Sequence, residues 1–197
     1  MKEETQRSYA EAVQSELSYY GKCYGRNFIV DSVFFGGGTP SLLDGSLIQA
    51  IMRTLKEHFF LEREAEITIE SNPKTLDEHK LKGYRQAGIN RISIGVQTLD
   101  DKTLKVLGRA HEAEDAVAAV RLAREAGFNN INLDLMFAVP GHTLEVWQKT
   151  LNQALDLKPE HLSFYSLQLE EGTPYFRLFE KGQLDLVSDE KDRQMYH

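Results

Sequence analysis

Apolar positions along the chain alternate between two rhythms. Tyr9, Val13, Leu17 and Tyr20 recur every three or four residues, which predicts an amphipathic helix. Phe28 to Phe35 then reads as a strand, with Val33, Phe34 and Phe35 suited to a pleated surface covered on both sides. Leu47, Ile48, Ile51 and Leu55 return to helical spacing, with Asp44 or Ser46 as the N-cap. Ile67 and Ile69 mark a short strand closed by Asn72 and Pro73. Thr75 to Gln86 is helical and stops at Gly88, the residue type that favours helix C-termini. Ile92, Ile94 and Val96 form a strand, followed by a short turn and a helix from Ala113 to Ala126, closed by Gly127. "INLDLMF" is the next strand, "TLEVWQKTLNQAL" the next helix and "HLSFYSLQL" the last strand.

A helix followed by five strands with helices between them predicts an α/β fold. The sheet is parallel, with helices packed on its outside through right-handed crossovers. Periodicity does not say whether the sheet closes. A complete eight-stranded barrel takes about 250 residues, so the 197 here fit a partial barrel or an open sheet. A helix with no strand ahead of it hints at a missing first strand.

Parallel α/β proteins gather their chemistry at the carboxyl ends of the strands. Those ends carry Gly36 to Thr39, then Glu70, Ser71 and Asn72, then Gln97, then Asp134, then Gln168 with Glu170 beyond it. Arg109 sits in the turn after the third strand. Taken singly, Glu70 could pair with Arg91 or Arg109, and Asp134 could cap a loop. Five strand ends that each carry a polar group point instead to a ligand site. The run Gly36-Gly37-Gly38-Thr39-Pro40 lacks the lysine of a P-loop and does not match GxGxxG. Pro40 also removes one N–H from any phosphate nest. Exposed glycine carbonyls suit an ammonium group. With two acids, two amides and one arginine, they describe a zwitterion with hydroxyls, such as an amino-acid head joined to a ribose.

Composition narrows the classes. The net charge of -7 argues against nucleic acid and against a polybasic membrane contact. No stretch is apolar and long enough to span a bilayer, and the start has no signal-peptide core. Cys23 is the single cysteine, which excludes an internal disulfide and suggests a reducing cytoplasm. It equally excludes a cluster or zinc site held by several cysteines of this chain alone. Several residues take plain readings. Cys23 is a small semi-buried residue near a helix end, and His111 a capping or surface group. Trp147 and Phe164 belong to the core. Tyr175, Phe176, Leu178 and Phe179 either pack under the barrel or mark where further chain docks, the second being preferred.

Six segments occur here in a telling order: "FFGGGTPSLL", "ITIESNP", "RISIGVQ", "LGRAH", "INLDLMFAVPG" and "YSLQLEEGTP". In them the chain resembles the radical S-adenosylmethionine proteins. More narrowly, it resembles the oxygen-independent coproporphyrinogen III oxidases and the related HemW-type haem chaperones. The resemblance implies a parallel-stranded partial (β/α) barrel and S-adenosylmethionine as cofactor. It implies that the backbone around Gly37, Gly38 and Thr39 holds the methionine amino group. Glu70, Gln97, Arg109 and Asp134 would contact the carboxylate and ribose, or a second cofactor molecule, and Gln168 would line the pocket. Haem or a porphyrin(ogen) is the implied partner. The tail "LEEGTPYFRLFEKGQLDL" looks more like the chaperone branch, with the oxidase as the alternative.

The family's CxxxCxxC loop, whose thiolates hold a [4Fe–4S] cluster, has no counterpart in this sequence. The chain therefore reads as a fragment that lacks the first strand and the cluster loop. Residues 1–170 are expected to form the partial core, and 171–197 the start of a truncated C-terminal extension. On this reading the intact parent carries the cluster, and the chain alone does not cleave S-adenosylmethionine. The missing strand would leave a sheet edge open to self-association.

Overall fold

Helices and strands alternate through the computed structural model, which describes residues 2–25 and 27–197. The order is α1 (Glu3–Tyr24), β1 (Ile29–Phe35), α2 (Gly45–His58), β2 (Phe60–Ser71), α3 (Glu78–Ala87), β3 (Arg91–Gln97), α4 (Asp101–Val106), α5 (Ala113–Glu125), β4 (Ile131–Phe137), α6 (Leu144–Asp156), β5 (His161–Ser166), α7 (Pro174–Glu180) and α8 (Asp189–Tyr196). The five strands are all parallel, lie in sequence order β1-β2-β3-β4-β5 and curl into a half-barrel. The predicted α/β half-barrel architecture is the one observed.

Register explains how the sheet is used. Glu70 pairs with Ser93, Ser93 with Asn132, and Asp134 with Ser163. Successive strand residues face opposite sides, so two unlike faces result. One carries Thr68, Glu70, Ser93, Asn132, Asp134, Ser163 and Tyr165. The other carries Ile67, Ile69, Ile92, Ile94, Ile131, Leu133 and Leu135, all buried in the hydrophobic core with α2, α3 and α5 residues. Helices thus cover the apolar outer face, and polar side chains line the inner one.

Local chemistry fixes the helix ends. Asp44 caps α2 by accepting the Ser46 N–H at 2.9 Å, and the Ser46 hydroxyl and amide together lower its pKa. Asp77 caps α3, which ends at Gly88 with φ of 101°. Helices α2 and α3 cross where Gly45 meets Gly83, and a Cβ added to Gly83 would lie 2.8 Å from the Gly45 Cα. Asn90 takes the place of a strand neighbour at the start of β3. Its side chain accepts from Ile67 N–H and donates to the Ala65 carbonyl, both at 2.8 Å.

Several expectations need correction. Phe34 is 62% exposed, because β1 is the edge strand and its inner face is uncovered. Phe164 is 44% exposed at the opposite edge, although its ring meets Phe137, Trp147 and Tyr196. Cys23 is exposed. His111 is buried. Helix α3 starts at Glu78, since Pro73–Thr75 forms a 3-10 turn. The turn after β3 contains α4. Strand β5 ends at Ser166, so Gln168 lies beyond it. Trp147 is core as expected, its indole N–H donating to the Met195 carbonyl of α8 at 2.7 Å.

Candidate functional site

The polar face reaches the carboxyl ends of the strands at the glycine run after β1. A Cβ on Gly36 would come within 2.5 Å of the exposed Phe34 ring, so this glycine lets that ring fold back along the chain. Gly37 and Gly38 differ, since a Cβ on either would meet nothing within 4 Å. Gly37 has φ of 109°, in the region that side chains disfavour. Together they present open backbone to the mouth of the half-barrel. The Gly37 N–H donates to Glu70 Oε2 at 3.3 Å, and Asn72 Nδ2 donates to Thr39 Oγ1 at 3.3 Å. The end of β2 therefore holds the glycine run in place.

Strand β3 ends in a tight γ-turn. Gln97 has φ of 67°, and the Thr98 N–H donates to the Val96 carbonyl at 2.8 Å. Gly95 leaves space for this fold-back, because a Cβ there would lie 3.0 Å from Gln97 Nε2 and 3.2 Å from Asn72 Oδ1. The buried Gln97 side chain accepts from the Tyr165 hydroxyl at 3.0 Å.

Asp134 is held by neutral donors. Ser93 Oγ donates to Asp134 Oδ2 and Asn132 Nδ2 to Asp134 Oδ1, both at 2.7 Å. Asn132 is itself saturated, for its Nδ2 also reaches Ser93 Oγ, and its Oδ1 takes Ser163 Oγ and the His161 ring. No ion pair among the described residues uses Asp134, Glu70 or Arg109. Glu70 pairs with neither Arg91 nor Arg109, the two partners the sequence offered it. Arg91 leans toward Glu66 and Thr68 instead.

Tyr165 gathers these groups. Burial raises its pKa most, and the Asp134 charge raises it further. The Gln97 hydrogen bond and Arg109 work the other way, and Glu70 adds to the rise. One phenol thus bonds Gln97 and feels the charges of Asp134, Arg109 and Glu70. Nothing in the sequence singled out Tyr165, although it follows His161 and Ser163 at the two-residue spacing of one strand face. Gln168 is exposed beyond β5 and makes no side-chain hydrogen bond among the described residues, so it stands apart from this group.

The sequence model of the Radical SAM superfamily matches residues 7–154. The chain belongs to the radical SAM superfamily. This radical SAM chain is 42% identical over 169 residues to the heme chaperone HemW of Bacillus subtilis, covering 84% of the chain and 44% of that protein. It is also 42% identical over 167 residues to the mitochondrial radical S-adenosyl methionine domain-containing protein 1 of Danio rerio, covering 85% and 38%. Among solved structures, the radical SAM enzyme coproporphyrinogen III oxidase of Escherichia coli superposes with a TM-score of 0.83 at 27% identity. That likeness covers 98% of the chain and 44% of the enzyme. The chain thus spans less than half the length of these relatives.

Radical SAM proteins combine S-adenosylmethionine with a [4Fe–4S] cluster held by cysteine thiolates. The open backbone at Gly37 and Gly38, beside acids, amides and an arginine, fits the first. The single Cys23, exposed in the last turn of α1, does not fit the second. Among the described residues, no three His, Cys, Asp or Glu side chains are grouped to hold a metal ion. No described helix is long and apolar enough to cross a membrane.

Proposed function

We propose that the strand-end surface binds S-adenosylmethionine, and that the chain is the cofactor-binding part of a haem-handling protein of the HemW type. One observation carries the cofactor reading: Glu70 and Asp134 share one face of the sheet with Tyr165, whose hydroxyl bonds Gln97 and which also feels the charge of Arg109. Beside them lies backbone that no side chain covers.

In this reading the carbonyls of Gly37 and Gly38 take the ammonium group of the methionine end, and Thr39 stands at the edge of that cradle. Arg109 has no carboxylate partner among the described residues, so its guanidinium is available for the ligand's carboxylate. Asp134 accepts from ribose hydroxyls through the lone pairs its two neutral donors leave unused. Gln97, its oxygen engaged by Tyr165, offers its amide N–H. Gln168 would enter only from the segment beyond β5. When bound, the cofactor supplies an electrophilic sulfonium. Reductive chemistry on it is not assigned to this chain, which contributes one thiol.

Identity to proteins named as heme chaperones, 42% to 44% in three bacteria, supports the chaperone reading. The alternative is oxygen-independent coproporphyrinogen oxidase. It is supported by the TM-score of 0.83, but at 27% identity. The same proposal takes residues 1–170 as the cofactor-binding core and 171–197 as the start of an extension, supported by α7, none of whose residues is buried. A cytoplasmic setting goes with it, on the strength of the single cysteine.

Titration calorimetry with S-adenosylmethionine, and separately with haem, tests both halves. The chain should bind both. Asp134→Ala should weaken S-adenosylmethionine at least about tenfold, the scale of a lost charged hydrogen-bond acceptor, and leave haem binding alone. A folded chain that ignores the cofactor, or an Asp134→Ala variant that binds it as before, overturns the cofactor site. Binding of coproporphyrinogen without haem would favour the oxidase.

A further inference from the structure

His111 lies in the connection between α4 and α5, two residues after Arg109, and is 5% exposed. Its Nε2 is 3.1 Å from the Val96 carbonyl. The same carbonyl accepts the Thr98 N–H at 2.8 Å and so closes the γ-turn on Gln97. A carbonyl can only accept, so Nε2 carries the proton and Nδ1 does not. One oxygen therefore joins two segments far apart in sequence. On one side is the strained turn that aims Gln97, and on the other the connection that carries Arg109.

We propose that His111 is a positioning residue of the strand-end site, holding Gln97 and Arg109 in one arrangement through the Val96 carbonyl. The proposal rests on the reading of that site as a cofactor site. A turn with positive φ at a glutamine persists only where its surroundings impose it. Three features impose it here: the missing side chain at Gly95, the Tyr165 hydroxyl and the His111 ring. Without the ring, the Val96 carbonyl keeps one partner, and the Arg109 segment loses its tie to β3.

The charged groups around His111 give the hypothesis a second signature. Burial lowers its pKa from 6.5 most strongly. The Val96 hydrogen bond and Asp115 on α5 favour its protonation, while Arg109 from its own segment and Lys74 from the turn after β2 oppose it. The folded pKa lies below the unfolded one. Protonation keeps the Nε2–H donor but places a charge where burial opposes it, so the arrangement is fully stable above pH 6.5 and is destabilised as pH falls through the folded value.

Two variants of the chain test this, each checked for folding by circular dichroism. His111→Ala removes the donor. His111→Gln can still donate to a carbonyl but does not titrate. We expect His111→Ala to weaken S-adenosylmethionine binding about tenfold and to speed hydrogen exchange of the Thr98 amide by a similar factor, as loss of a buried hydrogen bond implies. His111→Gln should restore both and should lack the fall in affinity that the parent shows toward about pH 5. If Gln97→Ala weakens binding and His111→Ala does not, the positioning role is wrong. If Gln97→Ala binds as the parent does, the cofactor reading fails. The Thr98 amide still decides the role of His111, since unchanged exchange in His111→Ala overturns it whatever the ligand does. Should His111→Ala not fold, a low-pH fall in affinity that persists in His111→Gln overturns it.

Discussion

At Gln97 the backbone adopts φ of 67°, which costs a non-glycine residue about 1–3 kcal/mol. The Tyr165 hydroxyl meets the side chain so presented. Tyr165→Phe keeps the ring and removes one hydrogen bond, worth about 1 kcal/mol. We predict that it lowers S-adenosylmethionine affinity about fivefold by calorimetry and shifts the melting temperature little. Unchanged affinity would remove Tyr165 from the site. Glu70, Gln97 and Asp134 were legible in the sequence because polar residues interrupt or end apolar runs there. His111 and Tyr165 were not. The partner of His111 is a backbone carbonyl fifteen residues back, which leaves no trace in side-chain pattern. Tyr165 acquires a face only once Asn132 is paired with His161.

Periodicity found the large elements and misjudged their ends. Helix α4 escaped notice because six residues carry too little pattern to separate a helix from a turn. Strand β2 runs from Phe60 because Glu62 to Ala65 arch out between its two stretches of pairing with β1. The crossing of α2 on α3 depends on two glycines that a composition count treats as ordinary. Gly83→Ala should gain up to about 1 kcal/mol of helix propensity. It must also place a methyl 2.8 Å from the Gly45 Cα, backbone that cannot swing aside. The clash wins. Urea unfolding should show a net loss of about 2 kcal/mol or more, in line with overpacking of a tight interior. A neutral or stabilising result would mean that the two helices can slide apart.

Seen whole, the half-barrel has an unpaired margin at β1. Ile29 is 66% exposed and Phe34 62%, apolar side chains on a strand with no second partner among the described residues. Such an edge invites pairing with another chain. Sedimentation should show association that grows with concentration. Phe34→Lys should suppress it, because a charged edge residue is a common guard against pairing. Concentration-independent monomers in the parent would rule it out. The sequence implied this exposed edge through family resemblance. It could not show that Phe34 would point into the open mouth, because the same aromatic run suits a covered strand.

The division of the sheet into a polar and an apolar side also sets how the gene can change. Up to the register shift that precedes Gln97, each residue of β3 and β4 belongs to one side by the evenness or oddness of its place. Deleting one residue early in β4 would turn Asp134 and Asn132 toward the helices and push Leu133 and Leu135 into the mouth. Losing two neighbouring residues would shorten the strand yet leave each survivor on its own side. For this protein, then, the smaller deletion is the more destructive one, and parity, more than length, is what an insertion or deletion must preserve.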